Sequence, residues 1–306
     1  MDVKQKIIIP DRLMPGDTIG VVAPSSPFNK ERFYQGINVL ESMGFRTYIP
    51  DDLFFKKGHL AGSDIHRAAL VNMLVADKKI KAIICARGGF GSIKILPLLD
   101  FESVQKNPKI FIGFSDITTL LSVLYIKCGL VTFHGPVVTS LSDATHRTKE
   151  SMLSALSSDM KLEITTKRGV VIKSGFAFGP VLGGNLTTLC HLVGTSFEPS
   201  FNKHILFLED RGEASYRIDR MLIQMKLSGC FNGLLGLVLG SFTDCGKPDE
   251  IHSIISDIFE DINIPIITGF EIGHGLDNIT IPIGIEATLN TDRQLLSFHK
   301  PATRLA

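Results

Sequence analysis

The sequence predicts an α/β protein with an N-terminal parallel-sheet α/β domain and a smaller mixed α/β C-terminal domain. Continuous apolar runs such as Lys81–Cys85 and Lys109–Gly113 are typical of strands that are buried on both faces of a parallel sheet. Helix-like segments such as Asn29–Met43 alternate with these runs, as βαβ units require. From Gly179 onward the pattern becomes mixed, and the last strands are predicted to form an antiparallel meander.

The predicted elements of the first half alternate in order. Strands are predicted from their apolar, β-branched runs at Asp17–Pro24, Arg46–Ile49, Lys81–Cys85, Lys109–Gly113 and Val131–Phe133. One helix stops at Gly44 and a second opens at Ser63; the three predicted helices are Asn29–Met43, Ser63–Asp77 and Ile117–Lys127.

In the second half, apolar periodicity predicts helices at Leu186–Val193, Arg217–Leu227 and Glu250–Glu260. Strands are predicted there at Ile205–Leu208, Gly236–Gly240, Pro265–Ile267, Thr280–Ile283 and Gln294–Phe298.

The chain length of 306 residues suits two domains, since one domain usually takes about 100–200 residues. We predict the first domain over residues 1–145 and the second over 179–306. Residues 146–178, rich in Ser, Thr and Lys, are predicted to be a linker or crossover. A composition that is 44% hydrophobic and 21% charged is that of an ordinary globular protein.

Charge and hydropathy exclude several classes of partner. The formal net charge of +1 argues against binding nucleic acid, and no Lys/Arg run indicates a membrane surface. The apolar stretch Ile7–Pro10 is far shorter than a secretory signal core of about 7–15 residues, and no run approaches the ~20 residues of a membrane span. We therefore expect a cytoplasmic protein.

The five cysteines are far apart and include no C-x-x-C pair. Zinc-ligand spacing is therefore absent, and we expect reduced thiols in the core, with neither a metal nor a cofactor.

The segment Phe111–Leu120 has the layout of a nucleophile elbow. A buried strand ends at Gly113-Phe114, and a helix begins just after Ser115. In such an elbow the serine hydroxyl is exposed, and the next backbone N–H, here that of Asp116, helps to bind an oxyanion. The match to G-x-S-x-G is incomplete because Ile117 occupies the last position. The alternative is that Ser115 or Asp116 only caps the helix.

A glycine-rich turn, Cys85–Ser92, follows the preceding apolar strand. Its glycines allow close approach of a backbone with exposed N–H groups, which suits an oxyanion donor or a phosphate. A dinucleotide fingerprint is excluded, because Lys94 stands where the last glycine is required. A tight turn without a ligand is the remaining alternative.

A serine nucleophile needs a base, which is usually a histidine oriented by a carboxylate. Two histidines, His134 and His274, lie beside glycines near predicted strands, and the residues alone do not choose between them. Glu209 ends an apolar strand, where a buried acid requires a partner, and Glu213 is the competing acid.

Taken together, these segments resemble the LD-carboxypeptidase family, which includes the microcin C self-immunity peptidases. The resemblance covers nearly the whole chain in order. The matching segments are Gly16–Ser25, Ala86–Ser92, Gly113–Thr118, His134–Pro136, Gly183–Leu186, Leu208–Glu213, Tyr216–Arg220, Gly273–Gly275 and Ile281–Gly284.

The resemblance implies a metal-independent serine peptidase with a Ser115–Glu209–His274 triad. It implies an oxyanion hole made by the backbone N–H groups of Gly88 and Asp116. The family reaction removes the terminal D-alanine from a cytoplasmic murein tetrapeptide, in peptidoglycan recycling. The family also implies a homodimer, and Asn185, in a glycine-flanked turn, is our expectation for a substrate contact.

Three other functions compete with this one. The immunity branch of the family cleaves a peptidyl nucleotide, for which we would expect an aromatic platform; the chain has no Trp and four Tyr, although its 20 Phe could substitute. From other classes, a non-catalytic small-anion-binding α/β protein and an α/β-hydrolase esterase would also use a serine after a glycine turn.

Overall fold

The structure, a computed structural model, describes residues 6–305. It divides into two compact units. The first contains residues 6–159, with Thr280–Gly284 and residues 302–305. The second contains Met160–Ile279 and Ile285–Pro301.

The strands are numbered here in chain order. They are β1 (Thr18–Val22), β2 (Arg46–Tyr48), β3 (Ile80–Cys85), β4 (Ile110–Gly113), β5 (Thr132–His134), β6 (Glu163–Thr165), β7 (Val171–Lys173), β8 (Phe176–Asn185), β9 (Ile205–Arg211), β10 (Gly236–Thr243), β11 (Ile266–Ile267), β12 (Ile281–Ile283), β13 (Glu286–Asn290) and β14 (Leu295–Phe298).

The α-helices follow the same convention. They are α1 (Lys30–Ser42), α2 (Asp64–Ala76), α3 (Phe101–Lys106), α4 (Thr118–Cys128), α5 (Val138–Leu141), α6 (His146–Ser157), α7 (Leu186–Cys190), α8 (Ser215–Leu227) and α9 (Pro248–Ile258). Short 3₁₀ turns cover Ser92–Leu98 and Ser115–Ile117.

The first unit is built on a six-stranded sheet of order β12-β5-β4-β3-β1-β2. Strands β1 to β5 are parallel, and β12 pairs antiparallel with β5, with Ile281 opposite His134. The central strand β4 is buried along its whole length, which explains its unbroken apolar sequence. The predicted parallel-sheet α/β domain is confirmed. Because the strands are parallel, the C-terminal ends of β1, β3 and β4 lie side by side at the same end of the sheet.

The second unit is built on an eight-stranded sheet of order β6-β14-β13-β8-β9-β10-β11-β7. Strands β8 to β11 are parallel neighbours, and antiparallel strands complete the sheet on both sides. This is the mixed α/β arrangement predicted for the second half.

Three features differ from the local sequence pattern. Residues 146–178, predicted as a linker, contain α6, β6 and β7 and the start of β8. The glycine-rich β8 was not predicted as a strand. Strand β12, predicted to belong to the final meander, instead joins the sheet of the first unit. Short strands at sheet edges and long-range pairings leave little trace in local periodicity.

None of the helices within residues 6–305 is long and apolar enough to cross a lipid bilayer. All five cysteines are buried, as the sequence predicts, and each is a free thiol. Burial raises the pKa of Cys128 to about 11 and that of Cys85 well above the usual thiol value.

Gly36 provides a test of the packing between α1 and α5. A helical Gly→Ala change normally stabilises by about 1 kcal/mol. Here an added Cβ would lie 1.9 Å from the carbonyl oxygen of Val138. We therefore expect Gly36→Ala to lower the free energy of unfolding by about 2 kcal/mol or more, as overpacking does.

Urea denaturation measures this effect. Gln35→Ala, on the exposed face of the same helix, is the control and should change stability by less than about 0.5 kcal/mol. A stabilised Gly36→Ala variant would contradict the packing described here.

Candidate active site

In the first unit, Ser115 occupies a strained turn between β4 and α4. Its φ is +64°, in the left-handed region that non-glycine residues rarely adopt. Such a residue costs on the order of 1–3 kcal/mol and persists only where its surroundings impose the conformation. A serine that only capped a helix would have extended backbone angles, so this geometry favours the nucleophile elbow over the capping alternative.

Two glycines allow this turn to form. An added Cβ on Gly113 would lie 2.8 Å from the Cγ2 atom of Ile117, which leaves no room for a side chain at the end of β4. An added Cβ on Gly88 would lie 2.9 Å from the Cβ atom of Ser115 and 3.1 Å from its Oγ. The structure thus brings the glycine-rich turn directly against the predicted nucleophile.

Asp116 is buried beneath the elbow. Its side chain is 6% exposed, and its Oδ2 accepts hydrogen bonds from the Ser25 hydroxyl and from the Ser92 backbone N–H, at 2.5 and 2.8 Å. After burial itself, the charge of this carboxylate is the second cause that raises the pKa of Cys85. Neither Ser25 nor Ser92 stood out in the sequence as a residue that supports the site.

In the second unit, Glu209 and His274 form a close pair. Glu209 lies near the end of β9 with no exposed surface, and its Oε2 is 2.6 Å from Nδ1 of His274. A buried carboxylate is costly unless it is paired and hydrogen-bonded. The pairing fixes the orientation of the imidazole and favours the tautomer with the proton on Nδ1, so that Nε2 is the basic atom of the neutral ring.

Gly273 permits the close approach of this pair. Its φ is +93°, and an added Cβ would lie 2.2 Å from Oε2 of Glu209. The N–H of Gly273 donates to Oδ1 of Asn278 at 2.9 Å, which holds the loop that presents His274. The need for glycine before the histidine is therefore steric, and Asn278 is a supporting residue that the sequence did not reveal.

The two candidate histidines and the two candidate acids have different surroundings. His134 lies in β5 with no exposed surface, and its ring packs edge-on to Phe114 with ring centroids 6.1 Å apart. Glu213 is half-buried, and its carboxylate lies 3.4 Å from the Arg217 guanidinium. Among the four residues, His274 and Glu209 are the histidine and acid that the structure pairs.

Asn185 ends β8 and caps α7. Its Oδ1 accepts from the Thr188 N–H at 3.0 Å, and its Nδ2 donates to Oδ1 of Asp210 at the same distance. Burial raises the pKa of Asp210, and the neighbouring Glu209 charge raises it further, while hydrogen bonds from Thr187 oppose the shift. These contacts give Asn185 a structural role, and substrate binding by this residue stays a prediction.

Comparison with known proteins identifies the family of the chain. Residues 19–135 match the model of the LD-carboxypeptidase N-terminal domain, and residues 178–289 match that of the LD-carboxypeptidase C-terminal domain. The chain belongs to the LD-carboxypeptidase family. The first match contains Ser115, and the second contains Glu209 and His274.

Some relatives within the LD-carboxypeptidase family are named as murein peptide carboxypeptidases, and others are named after MccF. A probable murein peptide carboxypeptidase of Bacillus subtilis is 36% identical over 92% of this chain and 91% of its own length. MccF is a microcin C7 self-immunity protein of Escherichia coli. The solved structure of an MccF-like protein from Bacillus anthracis superposes with a TM-score of 0.91 at 28% identity, covering 96% of this chain and 99% of that one. A muramoyltetrapeptide carboxypeptidase from Oxalobacter formigenes gives 0.81 at 29% identity, covering 92% and 97%.

Gly88→Ala tests the close approach at the elbow. The new methyl group would displace Ser115 or the glycine turn, and removing one oxyanion donor typically costs about 10²–10³-fold in rate. We therefore expect the rate of covalent labelling of Ser115 by a serine-reactive phosphonate to fall about 10²-fold or more, as measured by mass spectrometry.

Gly16→Ala is the matched control. Gly16 also has a positive φ, +86°, but an added Cβ there meets no atom within 4 Å. Gly16→Ala strains the backbone but does not crowd the elbow, so the rate of Ser115 labelling should be nearly unchanged. Equal labelling of the Gly88→Ala variant and the unmodified protein would exclude the proposed contact.

Proposed function

We propose that this protein is a serine LD-carboxypeptidase that releases the terminal D-alanine from murein tetrapeptides. The left-handed backbone of Ser115, on the tight turn between β4 and α4, carries the proposal, because this is the geometry of a nucleophile elbow. The pairing of Glu209 with His274 supports it, since the pair supplies the oriented base that such a serine requires. Membership of the LD-carboxypeptidase family supports the reaction class.

In the proposed mechanism, His274 takes the proton of the Ser115 hydroxyl through Nε2 as the serine oxygen attacks the scissile carbonyl. The carbonyl oxygen gains negative charge, which the backbone N–H groups of Gly88 and Asp116 would stabilise. Glu209 holds the imidazole in place and stabilises the imidazolium without taking its proton.

The tetrahedral intermediate then collapses as His274 gives its proton to the nitrogen of the leaving D-alanine. The peptide is left as an ester on Ser115. A water molecule, deprotonated by His274, attacks this ester and forms a second tetrahedral intermediate. Its collapse returns the proton to the serine oxygen and releases the shortened peptide.

The proposal includes three further points. In the mechanism above, His274 moves every proton. We therefore propose a metal-independent enzyme without a cofactor. We propose that it acts in the cytoplasm, which the five buried free thiols support, because disulfides are rare in reducing compartments. We also propose a homodimer, which rests on the family resemblance.

A second candidate is the peptidyl-nucleotide peptidase activity of the immunity branch. The higher TM-score with the MccF-like structure, 0.91 against 0.81, favours it. The absence of Trp and the presence of only four Tyr weigh against an aromatic platform for a nucleobase. We therefore place the murein substrate first.

Product release decides between these candidates. The purified protein is incubated with a murein tetrapeptide and, separately, with an aminoacyl sulfamoyl adenosine, each with and without EDTA, and products are identified by mass spectrometry. We expect D-alanine release that survives EDTA. Ser115→Ala should lower the rate by at least about 10³-fold, because loss of the nucleophile disables the whole triad.

Cleavage of the nucleotide analogue alone would replace the first proposal with the second. No cleavage of either compound, together with no phosphonate labelling of Ser115, would favour a small-anion-binding protein.

Glu209→Gln tests the orienting role of the acid. The amide keeps the size of the side chain but favours the wrong imidazole tautomer, so we expect kcat to fall by about 10³–10⁴-fold. Glu213→Gln is the matched control, since that acid pairs with Arg217 instead of a histidine. Its kcat should stay within about threefold, as expected for a surface ion pair of small energetic weight. Similar losses in both variants would remove Glu209 from its proposed role.

A further inference from the structure

We propose that the carboxylate of Asp116, in addition to its backbone N–H, is a positioning residue for the reaction. It would hold the glycine-rich turn in register with Ser115, so that the two oxyanion donors point to one place. This inference rests on the proposed function and assigns a role to a side chain that the mechanism does not otherwise use.

The first support is the set of contacts around Asp116. One oxygen, Oδ2, accepts from both the Ser25 hydroxyl and the Ser92 N–H. The Ser92 hydroxyl in turn donates to the backbone oxygen of Asp116 at 2.6 Å. Ser25 and Ser92 have no exposed surface, so these bonds are made away from water. Hydrogen bonds to a charged acceptor in such surroundings are about twice as strong as neutral ones.

The second support is where these three residues lie. Ser25 follows β1, Ser92 follows β3 and Asp116 follows β4. These strands are adjacent in the sheet, in the order β4-β3-β1. A single carboxylate oxygen therefore ties together the segments that leave three neighbouring strands at one edge. One of those segments carries the nucleophile and another carries Gly88.

The far side of the glycine turn is held by separate contacts. The Ser26 hydroxyl accepts from the Phe90 N–H at 3.1 Å, and the Ser26 N–H donates to the Gly88 oxygen at 3.4 Å. Arg67, 1% exposed, donates to the Gly91 oxygen at 2.8 Å and to the Pro24 oxygen. These bonds attach the turn to the segment after β1, and Asp116 adds its link to the segment of Ser115.

The Asp116 carboxylate would matter more for the precise placement of the reacting groups than for the stability of the fold. A reacting group displaced by about 1 Å can lose about 10²-fold in rate. The left-handed backbone at Ser115 would relax if the contacts beside it were removed. Loss of the Asp116 carboxylate should therefore reduce kcat while KM, which reports binding of the peptide, changes little.

The test compares Asp116→Ala and Asp116→Asn by steady-state kinetics on the tetrapeptide. We expect kcat of Asp116→Ala to fall about 10²-fold with KM within about threefold. Asp116→Asn keeps an acceptor oxygen of the same reach but loses the charge, and should lose only about tenfold. Hydrogen exchange should speed up in residues 86–92 of the alanine variant, because the Ser92 N–H loses its acceptor.

Thr303→Val is the matched structural control. The Thr303 hydroxyl is buried and donates to the Ser158 oxygen at 2.8 Å, so this variant loses a buried hydrogen bond in the first unit, where Asp116→Ala loses two. A merely structural role for Asp116 predicts that both variants lose stability and neither loses kcat. Ser25→Ala is a second test of the same contact. Its effect on kcat should be non-additive with that of Asp116→Ala, because both substitutions remove the Ser25–Asp116 hydrogen bond.

The outcomes separate this inference from the proposed function. If the unmodified protein releases no D-alanine and cleaves no nucleotide analogue, the proposed function fails and the positioning role fails with it. If the unmodified protein is active and Asp116→Ala keeps kcat within about threefold, only the positioning role is overturned. If Asp116→Ala does not fold, Asp116→Asn and Ser25→Ala decide: a lowered kcat at unchanged KM supports the inference, and an unchanged kcat overturns it.

Discussion

One conformational constraint shapes the first unit where β4 ends: Ser115 is held in left-handed backbone directly after a buried strand. Ser115 gains nothing locally from that conformation, so neighbouring segments must impose it. The parallel sheet provides the means, because it delivers the ends of β1, β3 and β4 to the same edge. Glycine removes the steric obstacle at Gly88 and Gly113, and the buried Asp116 joins the segments.

In the second unit the corresponding constraint is electrostatic: the buried charge of Glu209. Glu209 has no exposed surface, and a carboxylate in that position needs a partner that compensates for lost hydration. His274 is that partner at 2.6 Å, and Gly273 makes the distance possible. Asp210, next along β9, is satisfied differently, by Asn185, Thr187 and the N–H of Arg211. Of these two neighbouring acids on β9, Glu209 therefore has a basic partner and Asp210 has neutral hydrogen-bond donors.

The sequence revealed those features that have a local cause. Buried parallel strands such as β3 and β4 are recognisable as apolar runs, and the elbow is recognisable as a strand, a serine and a helix. Strand β8 was hidden because Gly183 and Gly184 interrupt its pattern. Their reason is long-range: an added Cβ on Gly183 would lie 2.0 Å from the backbone oxygen of Phe207 on the neighbouring strand. The choice of Glu209 and His274 likewise came from family resemblance, since no spacing rule relates residues 65 positions apart.

The path of the chain has a consequence for how such a protein can change by gene recombination. The backbone passes between the two units after residues 159, 279, 284 and 301. The segment matched as the C-terminal domain, 178–289, therefore includes β12, which is the edge strand of the first unit's sheet. Exchange of that segment for an unrelated one would remove β12 and expose the backbone of β5 as a new edge, open to pairing with other chains. A recombination event that keeps both sheets intact must therefore leave β12 with the first unit, although β12 lies within the matched C-terminal segment.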